Sequence, residues 1–144
     1  MMKISTRGRY ALRLMLDLAL HNTENPVRIK DIAKRQEVSS KYLEQIVSTL
    51  NKAGYVRSMR GPQGGYFLAK RPEEYTVGMI LRLTEGSFSP ADCVENEEAC
   101  DRYEKCTTVY VWQKIQEAVD NVVDNITLQD LVEIQLANNG DYVI

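Results

Sequence analysis

Apolar residues in the first fifty positions recur at intervals of three and four, interrupted twice by polar clusters. Between Thr6 and Leu20 the residues Ala11, Leu14, Met15 and Leu18 mark one face of a helix, in an Ala- and Leu-rich stretch that favours that conformation. Asn22 to Pro26 breaks it. A short second helix is expected from about Ile29 to Arg35 with Ile32 and Ala33 inward, and Gln36-Glu37-Val38 turns the chain. Ser39 is a suitable N-cap for a third helix running to about Ala53, because a serine hydroxyl accepts from an otherwise orphaned N–H of the first turn. In that helix Leu43, Ile46, Val47 and Leu50 form the apolar stripe, which turns Ser40, Lys41, Glu44, Gln45 and Ser48 outward. Gly54 ends it.

Two strands, near Tyr55 to Met59 and Tyr66 to Ala69, then flank Arg60-Gly61-Pro62-Gln63-Gly64-Gly65, whose glycines and proline mark a tight hairpin tip. Thr76 caps a fourth helix from Val77 to about Glu85, with Met79, Ile80 and Leu83 as its packing face, and Gly86 to Pro90 stops it. After Cys106 comes the longest periodic segment. Trp112, Ile115, Val119, Val122 and Ile126 are spaced 3, 4, 3, 4, the seam of a helix that pairs with another helix and the expected core of a homodimer interface. Thr127 with Asp130 resembles a capping box opening a last helix through Leu136, and Asn138-Asn139-Gly140 begins a tail. The expected fold is mainly α. It comprises a winged helix-turn-helix over residues 1–85, a cysteine-containing loop over 86–106, and a long dimerisation helix, short last helix and tail over 107–144.

Charge sharpens this picture. Residues 1–71 hold fourteen Lys and Arg against five Asp and Glu, a balance of +9, whereas residues 72–144 hold four against fifteen, or −11. So large an asymmetry assigns nucleic-acid binding to the first half. The N-terminus has no apolar signal region, and no stretch approaches the roughly 18 apolar residues of a membrane span, so a soluble, cytoplasmic protein without a membrane partner is expected.

A helix with polar residues at its exposed N-terminal end suits the major groove of a double-stranded operator. Ser40 and Gln45 can read bases there, Glu44 can accept from cytosine N4, and Lys41 can hold phosphate, with Ser39, Tyr42 and Ser48 on the same segment. At the hairpin tip Arg60 can reach a minor groove, while Gly61 and Gly64 let backbone N–H groups approach phosphate. Arg57, Arg7, Arg9 and Lys52 extend the basic edge. The other reading of each feature is a solvated face and an ordinary surface loop.

The three cysteines, Cys93, Cys100 and Cys106, lie within fourteen residues of acidic sequence. Clustered thiolates suit an iron-sulfur centre, and zinc, thiol redox chemistry and inert surface thiols are the alternatives. An odd count argues against a disulfide framework. A redox enzyme using Cys100 or Cys106 lacks an adjacent acid–base pair, because His21, the single histidine, lies far away and is expected to stabilise the end of the first helix.

Lys3 to Ala11, Ile32-Ala33, Tyr42-Leu43-Glu44-Gln45, Leu50 to Gly54 and Arg60-Gly61-Pro62-Gln63-Gly64-Gly65-Tyr66 together resemble the Rrf-two family of bacterial winged-helix regulators, over essentially residues 2 to 136. Within it, the three cysteines and Ile126 to Leu131 are most similar to the iron-sulfur cluster regulators. That resemblance implies a homodimer holding one cluster per subunit, typically two-iron, two-sulfur (2Fe-2S), with Ser40, Glu44 and Gln45 reading bases, Arg60 in the minor groove and Cys93, Cys100 and Cys106 as cluster ligands. Two departures stand out. The first two cysteines are separated by six residues rather than five, and Val109 occupies the position of the expected histidine ligand. Glu97, Glu98, Asp101, Tyr103, Glu104 or Tyr110, a group from the other subunit, or solvent is left as the fourth ligand. A second branch, the cysteine-metabolism repressors, lacks the cluster and responds to cysteine synthase, and the C-terminal Gly140-Asp141-Tyr142-Val143-Ile144 resembles the free isoleucine tails that this enzyme captures.

Overall fold

The structure is a computed structural model that describes residues 3–140. Among these the chain forms α1 (Thr6–Leu20), α2 (Ile29–Gln36), α3 (Ser40–Lys52), β1 (Val56–Met59), β2 (Gly65–Leu68), α4 (Val77–Glu85), α5 (Asp92–Glu95), α6 (Val109–Val123) and α7 (Leu128–Gly140). The first four helices match the sequence expectation closely. Caps explain why: Ser5, Ser39 and Thr76 each accept from a backbone N–H of the helix they open, and Ser5 is the one the sequence reading missed. Helix α2 ends one residue later than expected, at Gln36, and the turn to α3 falls on Glu37, within the expected turn, in a left-handed conformation (φ +56°).

One core joins α1, α2, α3, the inner side of the hairpin, α4 and α7. Ala11, Leu14, Met15, Ile32, Leu43, Ile46, Leu50, Val56, Tyr75, Ile80 and Leu128 are all buried in it. The hairpin strands pair antiparallel with Val56 opposite Leu68 and Met59 opposite Gly65. Two-stranded ribbons of this length are marginal alone. This one is held by a bridge between Val27 and Tyr66 and by Tyr75, whose hydroxyl accepts from the N–H groups of Ala69 and Lys70 (3.1 and 3.0 Å) and donates to the Tyr55 carbonyl (2.6 Å). Tyr75 is fully buried, and burial raises its pKa.

Helix α7 opens with the expected capping box: Thr127 N donates to Asp130 Oδ2 (2.9 Å), and Asp130 N donates to Thr127 Oγ1 (3.1 Å). It runs further than the sequence suggested. Asn138 and Asn139 continue the helix instead of starting a tail, Asn139 accepting from the Gln135 side chain at 3.1 Å. Leu128 and Val132 send α7 back onto α1, which makes it part of the head's core.

A second cluster (Val77, Leu81, Phe88 and Val123, with Val119, Ile126 and Leu131 partly buried) attaches α6 to α4. The expected α4 face is therefore incomplete. Ile80 serves one core while Val77 and Leu81 serve the other, and Met79 and Leu83 are only half-buried. Arg82 strengthens the joint through Asp120 and Asp124, and its guanidinium holds the Asp124 carboxyl below the usual carboxylate range. No helix among the described residues is long and apolar enough to cross a membrane.

Candidate nucleic-acid interface and cysteine segment

Helix α3 buries Leu43, Ile46, Val47 and Leu50, and that stripe fixes which residues face outward. Lys41, Glu44, Gln45 and Ser48 are exposed and Ser40 half-exposed. Two of the expected contact residues also have structural work. The Ser39 hydroxyl caps the helix by accepting from Tyr42 N (3.1 Å), and the Tyr42 ring packs edge-on against Tyr10 with centroids 5.9 Å apart. Arg7 reaches from the start of α1 to the flank of α3, where it donates to Thr49 Oγ1 (2.6 Å), while Arg9 stays on its own helix with Thr6. The stretch of α1 bearing these arginines thus borders the outward face of α3.

At the hairpin tip Arg60 and Gly61 are exposed, and Gly61 adopts φ +111°, a conformation that L side chains rarely take. Gly64 closes the turn, donating to the Gly61 carbonyl (2.9 Å), and a Cβ there would collide with the Met59 carbonyl. Its absent side chain therefore serves the turn.

Sequence reasoning missed the polar groups that brace this interface. Asp17, almost fully buried on α1, accepts from Arg35 Nε (3.0 Å), Arg35 Nη2 (2.7 Å) and Gln36 Nε2 (3.1 Å), pinning α2 to α1. Arg13 donates to the Gln36 side chain and carbonyl at 2.9 and 2.8 Å. An aspartate in the middle of an apolar helix stripe was the available signal. His21 behaves as expected, with Nδ1 2.8 Å from the Asp17 carbonyl at the end of α1.

The cysteine loop is a chain of short helical turns: α5 carries Cys93, and single turns over Glu97–Ala99 and Tyr103–Lys105 precede Cys100 and Cys106. None of the residues in these turns is buried. All three thiols are free and half-buried. Cys100 opens into a depression of about 330 Å³ together with Glu97, Glu98, Asp101, Tyr103 and Glu104, five of the six side chains considered for a fourth ligand. Tyr110, the sixth, projects from α6 and is well exposed. Cys106 opens into a separate depression, where hydrogen bonds from the Thr108 hydroxyl (3.1 Å) and the Val109 backbone N–H lower its pKa. Among the described residues, no three His, Cys, Asp or Glu side chains converge closely enough to hold one metal ion.

The expected dimer seam divides. Ile126 lies beyond the end of α6, and its side chain packs with Val77 and Leu81 of the same chain, as Val119 partly does. The regular spacing carried through Asp124-Asn125, where the helix stops, so Ile126 does not continue the same face. Trp112 and Val122 are exposed and Ile115 half-exposed, alongside Val111, which the sequence reading left out.

A polar-faced third helix, an arginine-tipped wing and a basic first half define a winged-helix DNA-binding protein. Comparison with known proteins gives the family: the profile described as Rrf2, iron-dependent transcriptional regulator, matches residues 4–134, and the chain belongs to that family. It is 45% identical over 130 residues to the HTH-type transcriptional regulator CymR of Bacillus subtilis, covering 90% of this chain and 89% of the relative. It is 41% identical over 131 residues to the HTH-type transcriptional regulator IscR of Pectobacterium atrosepticum, covering 91% and 79%. The solved structure of CymR, the global cysteine regulator of B. subtilis, superposes with a TM-score of 0.78 at 43% identity, covering 93% of this chain and 98% of that one. The chain is thus a DNA-binding transcriptional regulator of the IscR and CymR type, and its relatives are regulators, not enzymes. Regulators of this family are typically dimeric.

Proposed function

We propose that two copies of this chain bind a double-stranded operator, and that the Cys93–Cys106 segment is the sensor that changes how they bind it. Each copy inserts Ser40, Glu44 and Gln45 into the major groove and Arg60 into the adjacent minor groove, while Lys41, Arg7 and Arg9 hold phosphate. Phosphate contacts position the protein and base contacts specify the site. The exposed apolar side of α6, with Trp112, Ile115 and Val122, is the homodimer face.

The sensory group in this reading is an iron-sulfur cluster of the 2Fe-2S type. The donor set fits it chemically: three free thiols on one short segment, one already shifted toward thiolate, with carboxylates gathered around Cys100. Cys93, Cys100 and Cys106 would hold the cluster, which would supply sensitivity to oxygen, redox state and iron supply. The segment leads directly into α6, so reordering it acts on the dimer. The observation that carries this reading is that three unpaired thiols sit on weakly packed turns at the foot of the dimer helix.

Iron and acid-labile sulfide analysis with visible spectroscopy on anaerobically purified protein tests it. Iron and sulfide should be present in the wild type and lost when any of the three cysteines becomes Ala. Stoichiometric zinc without sulfide would make this a structural metal site. Absence of any metal would favour the second reading, a cluster-free regulator that signals through cysteine synthase bound at Ile144. Favouring that alternative are the separated thiols, Val109 in place of a histidine, and the equal closeness of CymR. Ile144 itself lies outside the described residues.

A further inference from the structure

A wing can read a minor groove in register with a recognition helix only if the two are held at one distance. Two short strands do not secure that. Inside the tip of this wing, the Gly64 N–H to Gly61 carbonyl bond closes the turn. From outside the hairpin one side chain reaches it among the described residues: Arg28, whose Nη2 donates to the Pro62 carbonyl at 2.6 Å.

Arg28 is the residue immediately before α2. Its neighbour Val27 exchanges both backbone hydrogen bonds with Tyr66 on β2 (Val27 N to Tyr66 O 2.9 Å, Tyr66 N to Val27 O 2.8 Å). The approach is close enough that a Cβ on Gly65 would lie 2.5 Å from the Val27 carbonyl oxygen. Val27 therefore bridges to the wing, and the chain continues through Arg28 straight into α2, which packs on α3. The Val27 bridge, through Tyr66, holds β2 at its tip-side end. The guanidinium, in a charge-assisted bond to the Pro62 carbonyl, holds the loop beyond it.

We propose that Arg28 is a positioning residue for operator recognition, locking the wing tip that carries Arg60 to the helix-turn-helix so that both elements meet DNA at one spacing. This rests on the reading of Arg60 as a groove contact. The competing role for an arginine here is a direct phosphate contact. The two differ in consequence: a positioning residue acts through Arg60, whereas a phosphate contact acts by itself and releases a counterion.

The test is a double-mutant cycle of Arg28→Met and Arg60→Ala on the full chain, titrated against operator and non-specific duplexes over a range of salt. Methionine keeps most of the aliphatic stem and removes the donors. Arg60→Ala should weaken operator binding by about 30-fold, the scale of one good groove contact. Arg28→Met should weaken it by about five- to tenfold, leave non-specific binding unchanged, and add less than about twofold in the Arg60→Ala background, because coupled residues are not additive. The salt slope of Arg28→Met should equal that of the wild type. A slope lower by about 0.9 would mark a phosphate contact and overturn the proposal. Additive losses, or no loss from Arg28→Met, would overturn it too. If Arg60→Ala itself changed nothing, the groove contact would fall first and the positioning role with it. Thermal melts report folding of each variant, and Arg28→Gln, which keeps a neutral donor, replaces Met under the same criteria should that protein fail to fold.

Discussion

Replacing Tyr75 by Phe removes a single oxygen from the best-buried polar side chain at the base of the wing. The ring still fills its place, so no cavity forms and the cost is confined to hydrogen bonds. Three groups use that oxygen: the N–H of Ala69, the N–H of Lys70 and the carbonyl of Tyr55. Ala69 N also donates to the Tyr55 carbonyl at 3.2 Å, so these two keep each other when the hydroxyl is gone. Lys70 N is left without a protein partner. One stranded donor at about 1–3 kcal/mol, plus the weakened pairing at Tyr55, sums to about 2–3 kcal/mol rather than three full penalties. Urea unfolding followed by far-UV circular dichroism at fixed protomer concentration should show that loss with an unchanged m value, and the melting temperature should fall by about 6–10 °C. A second signature follows from charge. Burial raises the Tyr75 pKa above its usual 10.0, so the phenol contributes stability that is intact below pH 10 and lost as pH rises through its folded-state value. The variant should lack that component, and the stability gap between the two proteins should narrow above pH 10. A gap under about 1 kcal/mol at neutral pH would show that water replaces the hydroxyl at no cost and that the wing base is not sealed.

Asp17→Ala should cost about 2–3 kcal/mol in the same assay, short of the figure for a fully buried pair because Arg35 is 38% exposed and regains water. Glu37→Gly should raise the melting temperature by about 2 °C while operator affinity stays constant, since glycine relieves the left-handed backbone at the helix-turn-helix corner at some entropic cost; a drop in stability would show that the glutamate side chain is needed there. Val122→Asp places a charge on the exposed side of α6 and should leave the monomer folded but abolish dimers at low micromolar concentration, as read by sedimentation. In cluster-free protein, Cys106 should be alkylated by iodoacetamide faster than Cys93 or Cys100 at pH 7, because the Thr108 hydroxyl and the Val109 N–H favour its thiolate; equal rates, read by peptide mass spectrometry, would contradict that environment.

The helix-turn-helix and wing were legible because their signals are local. Ser39, Gly54 and Thr76 punctuate the chain chemically, and the stripe Leu43-Ile46-Val47-Leu50 decides which face of α3 is turned outward without reference to anything distant. What escaped was non-local. Nothing in the neighbourhood of Asp17 announces that Arg35 will reach it from the next helix, nor does Arg28 announce that it will find Pro62 thirty-four residues on. The seam on α6 misled for a related reason: periodicity marks apolar positions but does not say whether the surface they cover belongs to the same chain. Val119 and Ile126 pack within the chain, whereas Trp112 and Val122 are left exposed.

That division suits α6 to the transmitting role proposed for it. Its inner side is tied to α4 through Val123 and through Arg82 with Asp120 and Asp124, and α4 packs on α1, whose first turn carries Arg7 to the flank of α3. Its N-terminus, at Val109, begins three residues beyond Cys106, whose thiol already shares hydrogen bonds with the Thr108 hydroxyl and the Val109 N–H. A change at the cysteines therefore meets the helix end directly. The exposed ion pairs at Arg82 are individually weak, so the stiffness of the path rests on the apolar joint of Val77, Leu81, Phe88 and Val123. In the function proposed above, a cysteine segment with few packing contacts, joined to a rigid lever, would let a modest local rearrangement alter the relation between two DNA-binding heads without unfolding either.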